Sequence, residues 1–591
     1  VYIYSERNTI ILNFTLLIER IYNRDTSEQV VNPLTKSLRQ IPPDNILDLK
    51  INDDAHLKGQ WSAPIDWNVT AIHSILLPDS NVMTYGTFGI LEKDNIDVRE
   101  NKKLTLTDGR KLQRDFGIHQ WQHHDVNSGV DFDIWNVNQG FSDSAHQLFM
   151  KPVFMDAFCS IVRVIDSDRV FIMGGNKNRL EGMPDTQKST MIYNVKEKTF
   201  ELSKSLNFPR WYGSIVRTGD NKLVMMGGKD VTKPDGSPIP EIIDLDKIEN
   251  GWKLLDKAES YDFFGNFENN EGSYPKAFLA SDGNIVGISY NNIWVMDKSD
   301  NYRIKKTGEI PLVTGGISET FEDINYKSEE YGNKLKLLTI SSPVGESSSA
   351  IMIEKDKVII FGGTQTGHEY APSNRVIQID FSDTSFPIIE ELGAMSYPRS
   401  WGNATILPSG KVFLNGGHAF NDLYFSNFIP EIYDPKNSTS KELSASGFRR
   451  NYHASSLLLT DGTILTAGGD VWNAEIFYPP YLFTKDWNDQ TILASRPKIL
   501  DLDQKINRGR LIINTSSSDN INKVTLISTG STTHSQGSES KFKNLEFSKL
   551  TNDQLQIQIP EDRNEFQSGT YMMFLINDSE VPSHGKIVYI N

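Results

Sequence analysis

The chain has 591 residues, 38% of them hydrophobic and 23% charged, which is typical of a folded protein too long for one ordinary domain. Its formal net charge is −16 and it contains no basic cluster, which argues against nucleic acid as a partner. The single cysteine, Cys159, excludes an intramolecular disulfide.

Residues 1–56 carry no clear repeat and form an unassigned N-terminal segment. The apolar stretch "TIILNFTLLI" in this segment is too short to span a bilayer. It also lacks the basic region and the small-residue cleavage site of a signal peptide. We therefore expect no transmembrane segment in this sequence.

From about residue 57 to residue 494 one pattern recurs seven times. It consists of an apolar strand, a polar turn with Asp, Gly or Asn, and a second apolar strand that most often ends in a glycine pair. The seven stretches are "LLPDSNVMTYG", "VIDSDRVFIMGG", "RTGDNKLVMMGG", the degenerate "ASDGNIVGI", "EKDKVIIFGG", "LPSGKVFLNGG" and "LTDGTILTAGG".

These stretches have the composition of β-hairpins, because Gly, Asn and Asp tolerate the positive φ of a tight turn. A later signal in several units, as in "MIYNVKEKTFEL" and "EIYDPKNSTSKEL", predicts an outer hairpin and so about four strands per unit. Units of roughly 50 to 60 residues favour a seven-bladed kelch-type β-propeller. An array of β-sandwiches is the alternative.

After residue 494 the pattern changes to short alternating strands such as "RLIINTS", "KVTLIST" and "YMMFLIN". About 95 residues of this kind predict a C-terminal immunoglobulin-like β-sandwich over residues 495–591. The predicted fold class is therefore all-β, with a propeller at 57–494 followed by a sandwich.

Three reactive stretches lie at one phase of the repeat, just before or within the first strand. They contain Cys159 in "AFCS", Tyr212 in "PRWYGS", and the pair Tyr452-His453 in "RRNYHASS". Innermost strands line the channel of a propeller, so we expect these side chains to converge near its axis. His534 lies in the C-terminal domain, in "STTHS", on a loop that could reach the channel mouth. Each residue alone is ordinary, but two imidazoles, two phenols and a thiol together suit Cu(II).

In these stretches the sequence resembles the copper radical oxidases, the group of galactose oxidase, glyoxal oxidase and their bacterial kelch relatives. The similarity covers residues 57–591 and rests on "AFCS", "PRWYGS", "RRNYHASSLLLTDGTILTAGG", "NAEIFYPPYLF", "STTHS" and "SGTYMMFLINDSEVPS", in that order. A kelch scaffold that binds a glycan or a protein without catalysis is the alternative function.

The resemblance implies a thioether bond between Cys159 and Tyr212 that supports a tyrosyl radical. It implies one copper per chain, held by Tyr212, His453 and His534 as equatorial ligands and by Tyr452 as axial ligand and proton acceptor. The implied reaction oxidises a primary alcohol or an aldehyde with O2 and releases H2O2. A monomer that is secreted or on the cell surface is expected on the same ground.

The sequence also departs from the galactose-oxidising pattern. No arginine occurs between Arg303 and Arg375, where those enzymes hold the sugar, so small aldehydes or simple primary alcohols are the expected substrates. The stretch "GGKDVTKPDG" has no aromatic residue to stack on the thioether. Trp211 precedes Tyr212 as in the glyoxal-oxidase-like branch, and Phe428 aligns with an aromatic residue of the substrate pocket.

Four other histidines are left out of the predicted site. His123 and His124 are adjacent, and neighbouring residues on a strand point to opposite faces. His73 and His418 lie at repeat positions but have no partner donors by analogy.

Overall fold

The structure of the protein is a computed structural model. It describes residues 49–86, 103–105, 111–113, 131–150, 152–153, 155–177, 186–231, 235–267, 272–311, 318–321, 335–338, 344–364, 372–418, 426–469, 471, 473–537 and 540–591. His123 and His124 lie outside these residues. None of the helices described is long and apolar enough to cross a bilayer.

Strands dominate, which confirms the all-β class. The helical elements among the described residues are one α-helical turn at Ala55–Lys58, one π turn at Tyr261–Gly265, and 3-10 turns at Val137–Gln139, Asp143–Ala145, Ile248–Asn250, Asp256–Ala258, Lys298–Asp300 and Pro480–Leu482.

In the part of the chain that the structure describes, seven antiparallel sheets follow one another, and each pairs its strands in sequence order. Their strands are His73–Leu76, Val82–Tyr85, Phe132–Trp135 and His146–Phe149 (sheet 1); Ile161–Val164, Arg169–Met173, Thr190–Asn194 and Thr199–Leu202 (sheet 2); Trp211–Arg217, Lys222–Lys229, Glu241–Asp244 and Lys253–Leu254 (sheet 3); Lys276–Leu279, Ile285–Ser289, Asn292–Asp297 and Arg303–Glu309 (sheet 4); Ser349–Glu354, Lys357–Phe361, Val376–Asp380 and Ile388–Glu391 (sheet 5); Ser400–Ile406, Val412–His418, Glu431–Asp434 and Thr439–Glu442 (sheet 6); and Ala454–Leu458, Ile464–Gly468 and Asn473–Tyr478 (sheet 7).

Contacts join neighbouring sheets around a ring: sheet 1 to sheet 2 through Tyr85 and Ser160, sheets 2, 3 and 4 through their first strands, and sheet 4 to sheet 5 through Ser281 and Asp356. The first strands of sheets 5, 6 and 7 contact one another in turn, and the first strand of sheet 7 contacts that of sheet 1. At this last contact the hydroxyls of Ser74 and Ser455 are 2.7 Å apart. This arrangement is consistent with a β-propeller whose first strands line a central channel.

Sheet 7 takes its outer strands from the beginning of the repeat region. Gln60–Trp61 and Ile65–Asp66 both pair with Asn473–Tyr478. The Trp61 ring packs on Phe477 at a centroid distance of 4.9 Å, and its Nε1 donates to the Ser444 carbonyl at 2.8 Å. The two ends of the ring are therefore joined by backbone hydrogen bonds within one sheet.

The glycine pairs lie where neighbouring sheets meet closely. Gly416 has a φ of +64°, and a Cβ there would lie 2.0 Å from the Arg450 carbonyl oxygen. Arg450 is buried, and its guanidinium donates to the Gly468 carbonyl and forms an ion pair with Glu475 of its own sheet at 2.9 Å. The pairs Arg210–Glu241 in sheet 3 and Arg399–Glu431 in sheet 6 repeat this arrangement.

Arg210 and Arg399 directly precede the first strands of their sheets, and Arg450 lies four residues before the start of its own. Their ion pairs fix how each strand begins. Arg210 and Arg450 each lie two residues before a candidate metal ligand, Tyr212 and Tyr452 respectively.

The C-terminal region consists of two sheets packed face to face. Their strands are Ile499–Asp501, Gly509–Thr515, Phe547–Thr551 and Gln554–Ile559 in one sheet, and Lys505–Ile506, Ile521–Ser528, Phe542–Leu545, Gly569–Asn577 and Lys586–Ile590 in the other. Buried Leu, Ile and Val side chains of both sheets form one separate core, as in a β-sandwich.

Three further sheets among the described residues have two strands each. They pair Lys103–Thr105 with Lys111–Gln113, Ser318–Phe321 with Leu335–Leu338, and Phe483–Lys485 with Thr491–Leu493.

A hairpin leaves the sandwich and enters the ring. Its strands, Ser531–Thr533 and Gln536–Gly537, add to the channel edge of sheet 1, where Thr532 pairs with Ser74. The Ser531 hydroxyl donates to the Val162 carbonyl of sheet 2 at 2.8 Å. The sandwich is thus joined to the ring through the channel.

Candidate metal centre

The chain bends sharply at the start of several first strands. Cys159, Tyr212, Tyr274, Trp401 and His453 all have positive φ, between 43° and 68°. Such conformations cost about 1–3 kcal/mol each in residues other than glycine and persist only where the surroundings enforce them. Hydrogen bonds between these bends help to enforce them, since the Tyr212 N–H donates to the Cys159 carbonyl and the Tyr274 N–H to the Tyr212 carbonyl.

The bends bring the predicted thiol and imidazoles together. The ligand atoms of Cys159, His453 and His534 all lie within 4.8 Å of one another, and the three side chains are buried. His534 Nε2 is 3.4 Å from Cys159 Sγ. The His453 and His534 rings meet edge to face at 4.7 Å.

The two predicted phenols complete this cluster. The Tyr212 and Tyr452 hydroxyls contact each other. Their rings lie 5.3 Å and 5.0 Å from the His534 ring. Both tyrosines are partly exposed whereas the thiol and the imidazoles are buried, so the cluster opens to solvent on its phenol side.

His534 occupies the turn of the channel hairpin. It has a φ of +48°, which turns the chain between the two short strands. On its far side, Nδ1 lies 2.6 Å from the Thr533 hydroxyl and 3.1 Å from the Tyr274 hydroxyl. These contacts orient Nε2 towards Cys159 and His453. Burial and the neighbouring imidazoles hold the pKa of His534 well below its usual value, so the ring is neutral and able to bind a metal.

Tyr274 is a residue of the site that the sequence did not reveal. It is buried, its ring lies 4.9 Å from that of Tyr212, and burial raises its pKa well above the usual value. It belongs to the degenerate fourth repeat, where the hairpin signal is weakest. Its position just before the strand Lys276–Leu279, at the repeat phase of Cys159, is the signal that could have identified it.

The ring that stacks on Tyr212 is Trp211. Their centroids are 3.9 Å apart and their planes are inclined by 22°. The stacking ring therefore comes from the residue next to Tyr212 on its own strand, and not from "GGKDVTKPDG", which begins on the partner strand Lys222–Lys229.

His73 also lies near the cluster. It is fully buried, stacks on Tyr85 at 4.4 Å, and has its ring centroid 6.0 Å from that of His534. Neither ring nitrogen has a hydrogen-bond partner among the described residues. Burial and the nearby His453 lower its pKa to about 3, so it is neutral.

His418 and Phe428 are the remaining imidazole and aromatic candidates. His418 is buried in sheet 6, opposite Ser400. Phe428 makes no ring contact with the cluster among the described residues, and its carbonyl accepts the Ser446 N–H at 2.8 Å. Its role in a substrate pocket remains a prediction.

The donor set suits copper and does not suit Mg²⁺ or Ca²⁺. Imidazole and phenol oxygen donors suit Cu(II), and a thiol alongside them suits the softer Cu(I). Asp and Glu oxygens, which Mg²⁺ or Ca²⁺ would need, are absent from the group of possible ligands among the described residues.

The fold and the cluster together define a class of protein. It is an all-β protein in which a ring of four-stranded sheets holds this cluster in its channel and is joined to a β-sandwich. The family model "Glyoxal oxidase N-terminus" matches residues 119–484, and "Galactose oxidase-like, Early set domain" matches residues 496–590. The chain therefore belongs to the glyoxal oxidase family, with a galactose oxidase-like C-terminal domain.

Individual relatives agree with this assignment. A galactose oxidase of Gibberella zeae is 29% identical over 455 residues, which cover 74% of this chain and 61% of that protein. "Aldehyde oxidase GLOX" of Vitis pseudoreticulata is 22% identical over 498 residues, which cover 77% of this chain and 82% of that protein. The chain thus spans about 61% of the length of the galactose oxidase that it matches.

A solved structure shares the fold. It is described as a novel fungal alcohol oxidase of the AA5 family in complex with copper. The TM-score is 0.69 at 17% identity, with 90% of this chain and 99% of the other covered.

Proposed function

We propose that this protein is a mononuclear copper radical oxidase that oxidises a primary alcohol or an aldehyde with O2 and releases H2O2. The observation that carries the proposal is the convergence of Cys159, Tyr212, Tyr452, His453 and His534. These residues come from sheets 2, 3 and 7 and from the C-terminal hairpin, yet their side chains form one cluster.

Tyr212, Tyr452, His453 and His534 would hold the copper. Bound copper would supply a one-electron acceptor and a position for the substrate oxygen. The neutral state of His534 supports this assignment, because a protonated imidazole cannot bind a metal.

Cys159 and Tyr212 would form a thioether bond. Cys159 is buried, and Tyr212 and Trp211 pack against the apolar group that contains it. Joining the sulfur to the ring carbon beside the hydroxyl removes one hydrogen from each residue. These two electrons and two protons would go to O2. The sulfur substituent would help Tyr212 to hold the second oxidising equivalent as a phenoxyl radical, and Trp211 would shield that ring from water.

Tyr452 would accept the hydroxyl proton of the substrate. Its hydroxyl contacts that of Tyr212 on the partly exposed side of the cluster, where a small substrate can reach it. The same exposed side favours a small aldehyde or a simple primary alcohol, in line with the missing arginine between Arg303 and Arg375.

The seven sheets would be the blades of a kelch-type propeller over residues 57–494, and residues 495–591 an immunoglobulin-like domain that supplies His534. A secreted or cell-surface monomer is proposed from the family resemblance.

A substrate panel on copper-loaded, oxidant-activated protein tests the function. We expect about one copper per chain and peroxide release with glycolaldehyde or methylglyoxal in preference to galactose. The variants His453→Ala and His534→Ala should lose copper, whereas His56→Ala, far from the cluster, should retain it. Copper-loaded protein that carries the crosslink but yields no peroxide on any substrate would favour a binding scaffold instead.

A further inference from the structure

Behind the stacked ring of Trp211 lies a lysine. Lys229 pairs with Trp211 across the first two strands of sheet 3. Its Nζ lies 5.4 Å from the centroid of Trp211 and 4.8 Å from that of Phe267. Tyr212, Trp211, the Lys229 ammonium and Phe267 therefore form a continuous stack.

The fold holds this stack in place. The backbone of Lys229 also forms an isolated bridge with Gly236. Phe267 is 9% exposed, and a Cβ at either Gly236 or Gly272 would lie 2.5 Å from its ring. Both positions thus require glycine for Phe267 to lie where it does.

The ammonium has aromatic rings in place of a counter-ion. Lys229 forms no ion pair with any carboxylate that the structure describes, whereas Lys222 on the same strand pairs with Asp220 at 2.7 Å. Burial lowers the pKa of Lys229, which is the expected result of removing a cation from water without a carboxylate partner. A cation over an aromatic face is stabilised by the electron density of the ring, and more strongly when water is excluded.

The position of this charge matters only if Tyr212 changes its oxidation state, so the inference rests on the proposed function. We infer that Lys229 is a positioning residue that sets the redox potential of the Tyr212 radical through Trp211. A positive charge behind the indole draws its electron density away from the phenol. It therefore makes loss of an electron from Tyr212 less favourable, and makes the radical, once formed, a stronger oxidant.

A redox titration of the copper-loaded full chain tests this inference. The radical is generated with a one-electron oxidant and followed by its optical absorption and by electron paramagnetic resonance. Lys229→Met should shift the midpoint potential of the radical downwards, and Lys229→Gln should do the same. Lys229→Arg, which keeps the charge over the ring, and Lys222→Met, which removes a surface charge from the same strand, should leave it near that of the unmodified protein.

The outcomes separate this inference from the function. An unchanged potential in Lys229→Met and Lys229→Gln, with copper and radical both present, overturns the role of Lys229 and leaves the oxidase intact. An unmodified, copper-loaded protein that gives no tyrosyl radical overturns the proposed function and this inference with it.

Discussion

At the scale of single residues, the Tyr274 hydroxyl lies 3.1 Å from Nδ1 of His534. Outer contacts of this kind fix the orientation of a ligating imidazole, and their loss typically lowers metal affinity by about 10–100-fold. We expect Tyr274→Phe to weaken copper binding towards the lower end of that range, because Thr533 holds the same nitrogen at 2.6 Å. A competition titration with a copper chelator measures the affinity.

Tyr261→Phe is the matched control for this experiment. It removes a hydroxyl that bonds Asp235 on the surface. Equal copper affinities of the Tyr274 and Tyr261 variants would show that the Thr533 contact alone orients His534.

The Cys159–Tyr212 bond is a second prediction at the residue scale. Aerobic, copper-treated protein should be lighter than its sequence mass by two hydrogen atoms, and the peptides that contain the two residues should remain joined after reduction. Intact-mass and peptide mass spectrometry measure both, with Cys159→Ser as the uncrosslinked control. Free reaction of Cys159 with a thiol reagent in unfolded, copper-treated protein would contradict the radical mechanism.

At the scale of elements, the start of the first strand of sheet 7 depends on the buried Arg450–Glu475 pair. Removing one partner of such a pair leaves an uncompensated charge and costs about 3–5 kcal/mol. Glu475→Gln should lower the free energy of unfolding by about that amount, and should also weaken copper binding because Tyr452 and His453 lie two and three residues after Arg450. Chemical denaturation and copper titration measure the two effects.

Glu354→Gln provides the control, because it removes an exposed partner of Lys357 at 2.9 Å. Exposed pairs contribute only about 0–1 kcal/mol. Similar destabilisation by the two substitutions would mean that the buried pair does not hold the strand.

Local signals predicted the hairpins of all seven sheets, because turn residues and glycine pairs act over a few neighbours. The Arg450–Glu475 pair spans 25 residues, and nothing in the local pattern links its partners. The two-residue strand Gln60–Trp61 is too short to show alternation, so its place in sheet 7 was not foreseeable. Within the site, repeat phase and family resemblance indicated Cys159, Tyr212, Tyr452, His453 and His534. Tyr274 was not indicated because it lies in the degenerate fourth repeat. The stacking of Trp211 was not indicated because it depends on the backbone bend at Tyr212.

At the scale of the whole molecule, Lys541 lies between the sandwich and the ring. It is 4% exposed, and its Nζ donates to the Leu279 carbonyl of sheet 4 at 3.3 Å. Burial, and to a lesser degree Arg163, lowers its pKa from 10.5 to about 7. Between these two values the unfolded chain binds the proton and the folded protein does not, so the free energy of unfolding should rise with pH across this window.

The expected slope is up to about 1.4 kcal/mol per pH unit. Lys541→Met should remove this contribution to the pH dependence, whereas Lys523→Met, which changes a partly exposed lysine of the sandwich, should retain it. Denaturation curves at pH values from 7 to 10.5 measure the slope. If the free energy of unfolding depends on pH equally in the Lys541→Met variant and the unmodified protein, a group other than Lys541 binds the proton.

The pairing of Gln60–Trp61 with Asn473–Tyr478 in sheet 7 has a consequence for biosynthesis. Gln60 pairs with Tyr478, so the strand Gln60–Trp61 can form its hydrogen bonds only after a strand more than 400 residues further along the chain has been synthesised. Until then sheet 7 lacks its outer strands, and His534, further still along the chain, has not been synthesised. The proposed copper site is therefore incomplete until His534 has been synthesised, so binding that needs all four of its proposed ligands comes late in translation.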